Sequence, residues 1–173
     1  MKSILWCSVS VLLVISGCSS SVPEPETSVR LSSGSNSIYS SSQPMVRLDT
    51  STSSFDQSWQ LMHGNQIPVP VTPDINFKTT RVVTFFMGLR PTSGYGFSFV
   101  QDSKLEAQTL TVFVRLKEPA LDATVIPMQT SPFSSFSFNN ASFTQVRVVN
   151  QASGQVIAES ESVKLREAQV MGF

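Results

Sequence analysis

Reactive side chains are scarce in this sequence. Among its 173 residues it has one histidine, His63, and two cysteines, Cys7 and Cys18. Charge is thin as well: 14% of residues are charged, against about 25% in an average soluble protein. The 12 basic and 12 acidic residues cancel to a formal net charge of +0, with a pI near 6.6. Arg81, Arg90, Arg115 and Arg147 are spread along the chain rather than clustered. Without a basic face there is nothing to neutralise a phosphate backbone, which excludes nucleic acid as a partner. No Gly-x-Ser-x-Gly nucleophile turn is present, and Gly94-Tyr95-Gly96 opens a strand rather than a phosphate-cradling helix. The carboxylates are scattered, with no pair suited to glycoside chemistry.

Nor is any apolar run long. The longest apolar segment, Ile4–Ile15, spans about 12 residues where a bilayer needs roughly 20. Lys2 precedes it and Ser16-Gly17-Cys18 follows, which is the tripartite layout of a secretory signal peptide over residues 1–17. Ile15-Ser16-Gly17-Cys18 also resembles the bacterial lipobox, in which the Cys thiol receives diacylglycerol and becomes the first mature residue. Cys7 would leave with the leader and Cys18 would be blocked by lipid. The mature chain is then expected to have no free thiol, no disulfide and no ordinary zinc site. Several acyl chains hold a protein on a bilayer more firmly than one. In Gram-negative lipoproteins Asp after the modified Cys favours the inner membrane. Ser19 therefore implies an outer-membrane lipid anchor, with the protein facing the periplasm.

From residue 18 to 44 the chain is rich in Ser, with Pro23, Pro25 and Gly34 and only scattered apolar residues. Such a segment buries too little apolar surface to offset the entropy of ordering it. It is expected to be a flexible tether, with at most a marginal edge strand around Val29, Leu31 and Ile38-Tyr39.

The pattern from residue 45 to 160 predicts the folded domain, and Arg81–Val100 is its centre. Arg81–Met87 is apolar on both parities, which suits a strand covered on both faces. After Gly88 and Pro91, Tyr95, Phe97 and Phe99 alternate with Gly96, Ser98 and Val100 as in a half-buried strand. Met45–Asp49 predicts a short strand. Ser54 is expected to cap a two-turn helix with Gln57 at the capping-box position. Phe55, Trp59 and Met62 lie on the apolar face, and Gly64-Asn65 ends the helix. Ile67–Pro73 has too many prolines for a central strand and reads as an extended crossing segment. Asp102–Gln108 is expected to be a polar connection before the alternating strand Thr109–Lys117. Phe133–Phe138 and Phe143–Val149 are expected to form a hairpin through Asn139-Asn140-Ala141-Ser142. Asn150–Gly154 turns into a last strand, Gln155–Glu159, before a polar tail over 161–173. Consecutive strands joined by short turns favour antiparallel pairing. The expected fold is mainly β (α+β): a small antiparallel β-sandwich or partly open barrel with one short helix.

Several of these residues fall in a recognisable order: Trp59, Asp74-Ile75-Asn76-Phe77, Val82-Val83, then Gly88-Leu89-Arg90-Pro91-Thr92-Ser93-Gly94-Tyr95. Leu110-Thr111-Val112, Pro119 and Thr130-Ser131-Pro132 follow. Over residues 55–138 this resembles the PrcB C-terminal domain family, found in bacterial lipoproteins and named for a non-catalytic subunit of a surface protease complex. The departure is Ser93, where a second Gly is common. The resemblance implies a non-enzymatic protein-binding or assembly module with another envelope protein, a protease, as its partner and with no cofactor.

Arg90, Pro91, Thr92, Ser93, Gly94 and Tyr95 form the candidate protein-binding loop, since Arg and Tyr favour interface anchors. The same composition also solves a turn, with glycines for positive φ or close packing and Tyr95 over the core; that reading stands ahead. Thr130-Ser131-Pro132 carries the same pair of readings. His63 with Asp56 or Asp74 and a serine could be drawn as a triad, but a cationic residue is favoured at a helix C-terminus in any case. The rival to a protein-binding module is a carrier of a small ligand or lipid in an aromatic-lined β pocket.

Overall fold

The computed structural model describes residues 28–140 and 142–161. The leader, Cys18, the first part of the expected tether and residues 162–173 lie outside them. The described elements are β1 (Ser28–Gly34), β2 (Met45–Asp49), α1 (Thr52–His63), β3 (Arg81–Phe86) and β4 (Gly96–Glu106). They continue with β5 (Thr109–Lys117), β6 (Phe133–Phe138), β7 (Gln145–Asn150) and β8 (Val156–Glu159). The strands make two four-stranded sheets, ordered β1-β6-β3-β2 and β4-β5-β7-β8. Among the described residues no helix is long and apolar enough to cross a membrane.

The first sheet is covered on both faces. Val83, Phe85, Phe136 and Phe138 meet Leu110, Val112, Val114, Val146 and Val148 of the second sheet. On the other face Val82, Phe86 and Phe133 meet Phe55, Trp59 and Met62 of α1. This is why Arg81–Met87 is apolar on both parities. Burying one such Phe contributes about 1.5–3 kcal/mol, so a 12-residue helix that could not stand alone is held by the sheet beneath it. The β-sandwich with one short helix is the fold expected from the sequence.

Four local expectations are corrected. Residues 28–44 are not a tether: Ser28–Gly34 pairs antiparallel with β6, and Leu31 packs into the helix-side cluster. The helix is capped by Ser51, not Ser54; Ser51 Oγ accepts from Ser54 N while Ser54 Oγ accepts from Ser51 N, a reciprocal capping box. Residues 102–106 are strand rather than connection, since β4 resumes its pairing with β5 at Lys104 after an irregularity beyond Val100. Lastly, β6 and β7 form no hairpin, because they belong to different sheets. β7 instead lies parallel to β5, Thr109 opposite Gln145 through Val114 opposite Asn150, as the chain crosses between layers. The β7–β8 hairpin forms as expected.

Candidate functional site

The Gly-rich segment between β3 and β4 is fastened along its length. Gly88 has φ 82°, and a Cβ there would stand 2.8 Å from the Ser42 carbonyl oxygen. Leu89 N donates to Ser41 O at 2.8 Å. Arg90 and Thr130 exchange both backbone hydrogen bonds, at 2.8 and 3.0 Å, and the Arg90 guanidinium donates to the Met87 carbonyl. Thr130 Oγ1 donates to Thr92 O at 3.1 Å. Ser93 N donates to Ile126 O at 3.1 Å, while Ile126 N donates to Ser93 Oγ at 2.9 Å. Gly94 has φ 93°, with Pro119 Cβ 3.1 Å from where its Cβ would be. Tyr95 packs against the intersheet core.

Of the six candidate loop residues, then, Pro91 and Gly94 are exposed, and Arg90, Thr92, Ser93 and Tyr95 are half-buried. The loop's polar groups face its own chain. Thr130-Ser131-Pro132 is the other half of this clamp. Ser131 is buried: its N donates to Ser35 O at 2.7 Å, its Oγ donates to Tyr39 O at 2.8 Å, and its O accepts from Ser37 N at 3.0 Å. Pro132 O accepts from Met87 N at 2.8 Å.

What this clamp displays is the neighbouring segment between β5 and β6. Leu121 is fully exposed, Ile126 is 63% exposed and Met128 is 50% exposed. Large apolar side chains held in water by a braced backbone mark an interaction surface more readily than scattered single residues do. The sequence signal for it is Val125-Ile126-Pro127-Met128, an apolar run with an internal Pro between two strands. Ile67 and Val71 in the proline segment are also exposed. There the backbone is anchored by Trp59, whose indole N–H donates to Pro70 O at 2.8 Å.

His63 does not sit in a triad. Its Nδ1 accepts from the Gln66 amide at 3.0 Å, and its Nε2 is 3.0 Å from Ser32 Oγ. The ring lies 4.4 Å from Trp59 and edge-on to Phe133 at 5.4 Å, centroid to centroid. Burial pushes its pKa below 6.5, opposed by the Gln66 hydrogen bond. The histidine is therefore a neutral strut between β1 and the end of α1. Among the described residues no group of three His, Cys, Asp or Glu side chains could hold a metal ion.

A cleft of about 400 Å³ opens between the sheets where Tyr95, Phe97 and Phe99 of the β4 side face Phe136 of β6. Phe99 and Phe136 have ring centroids 4.0 Å apart. Comparison with curated proteins and with solved structures gave no match. The resemblance drawn from the sequence is borne out over a shorter span than residues 55–138, without the helix and Trp59: residues 81–139, from β3 to just past β6 and including both loops of the clamp, match the family model PrcB C-terminal.

Proposed function

We propose that this chain is a non-enzymatic, lipid-anchored envelope lipoprotein that works as a protein-binding or assembly module. The observation that carries the reading is the exposed apolar trio Leu121, Ile126 and Met128, on a loop bonded to the Arg90–Tyr95 segment. Arg90 and Tyr95 shape that surface from behind, and Leu121, Ile126, Met128 and Pro91 touch the partner. The PrcB C-terminal match supports an accessory subunit of a protease complex as the setting. Cys18 would supply the anchor, in the outer membrane and facing the periplasm.

The test is affinity capture of the anchored protein from envelope extract. One specific envelope protein should be recovered by the parent chain and lost from the Ile126→Ser, Met128→Ser double variant, whose stability should be unchanged because both side chains already face water. Equal recovery by the two would refute the loop as the docking surface. For the anchor, Cys18→Ser should move the protein out of the membrane fraction or leave it uncleaved. Unchanged fractionation would count against lipidation.

A further inference from the structure

The sandwich is closed along one side and open along the other. β2, at one end of the first sheet, lies against β7 and β8 of the second. β1 and β4 end the sheets on the opposite side, and each has a strand neighbour on one flank only among the described residues. The open cleft runs between them. Register places Arg30 and Ser33 of β1 opposite Phe136 and Ser134 of β6, on the face that looks into the sandwich. Where an apolar side chain would complete the core, the sequence has Arg30, its guanidinium carbon 5.8 Å from the Phe136 ring centre. Arg30 is the one charged residue lining the cleft, and no ion pair among the described residues involves it.

Among the described residues three features therefore converge: half-buried aromatic rings, a cation without an ion pair, and two edge strands with a strand neighbour on one flank only. We propose that this cleft binds an extended segment of a partner protein that adds to a free edge of the sandwich. On the face turned inward, the segment alternates a bulky apolar side chain with an acidic one. The apolar residue would cover Phe97 and Phe99. The carboxylate, two residues along and so on the same face, would meet Arg30. A long acyl chain fits less well. Phe97 packs onto Phe85 at 4.7 Å and Phe99 onto Phe136, flooring the cleft, while Ser33, Ser98 and Ser134 make its walls polar. This surface is separate from the Leu121–Met128 loop and does not depend on it.

The experiment uses the full chain held in lipid nanodiscs and fluorescence anisotropy of a labelled, end-amidated octapeptide in which Phe and Glu alternate with Ser. It should bind at least about tenfold tighter than its Glu-to-Gln twin, the range expected of one charge-assisted hydrogen bond. Arg30→Gln should abolish that ratio while leaving the melting temperature in place. N-methylation of alternate peptide amides should weaken binding about tenfold or more. Ile126→Ser with Met128→Ser should change nothing here, so failure of the loop and failure of the cleft are read separately. A Glu-to-Gln ratio that survives Arg30→Gln, indifference to N-methylation, or binding of laurate in place of any peptide would each overturn the proposal.

Discussion

The two sheets have four strands each and very different surroundings. β3 and β6 of the first are buried almost throughout, squeezed between α1 and the second sheet. β5 of the second is buried at every other residue, with Leu110, Val112 and Val114 inward and Thr111, Phe113 and Arg115 toward the outside. A layer packed on both faces tolerates little change anywhere, whereas a layer packed on one face has a permissive side. The widest gap should appear between two phenylalanines. Phe86→Ala, which empties the helix-side layer, should cost about 3–5 kcal/mol. Phe113→Ala, from a half-buried outer position, should cost less than about 1.5 kcal/mol. Urea melts at constant slope would measure both. Equal losses would mean that α1 adds nothing to the stability of the first sheet.

The connection between the sheets allows a second contrast, among its glycines. Gly88→Ala meets a left-handed φ, a strain of roughly 1–2 kcal/mol, and a backbone carbonyl 2.8 Å away that cannot rotate aside. A loss of at least about 2 kcal/mol is expected. Gly96, at the start of β4, has nothing within 4 Å of where a Cβ would stand and no positive φ. Gly96→Ala should be neutral or stabilise by up to about 0.5 kcal/mol through the unfolded chain. A costly Gly96→Ala would show that the cleft mouth is tighter than this geometry. Smaller again is the helix cap: Ser51→Ala should cost about 1 kcal/mol, and Ser54→Ala should lower stability through the same box.

The difference between the sheets also explains what could be read in advance. β5 was legible because one wet face imposes alternation, and β3 because an unbroken apolar run implies cover on both sides. β1 was not legible. Its serines bury little themselves, and it is held by pairing with β6, whose residues lie about 100 positions later. Local pattern has no access to such a partner. The same limit hid the parallel β5–β7 pair and suggested a hairpin at 139–142, although β6 and β7 belong to different sheets. At the candidate site, Gly88–Tyr95 stood out because its backbone demands special residues. Leu121, Ile126 and Met128 did not, because exposure is a property of what fails to cover them. Arg30 was invisible as a cleft residue until the register of β1 was known.

The last and smallest effect concerns pH, and it acts on the first sheet alone. His63 bonds to Ser32 of β1 from the end of α1, and burial holds its folded pKa below 6.5. Above pH 6.5 the ring is neutral in both folded and unfolded chains, and its contribution is complete. As pH falls through 6.5 the unfolded chain takes up a proton that the folded one still refuses, so stability declines until the lowered folded pKa is passed. The carboxylates give their own slope at lower pH, so the useful quantity is the difference between the parent chain and His63→Gln from about pH 7.5 down to pH 5.5. That difference should shrink as pH falls, and in the parent the protection of β1 amides, taken relative to intrinsic exchange at each pH, should fall over the same interval while that of β5 amides does not. A difference independent of pH would show that the ring protonates as easily in the folded chain as in water, and that β1 is held to the helix by the strand pairing rather than by the histidine.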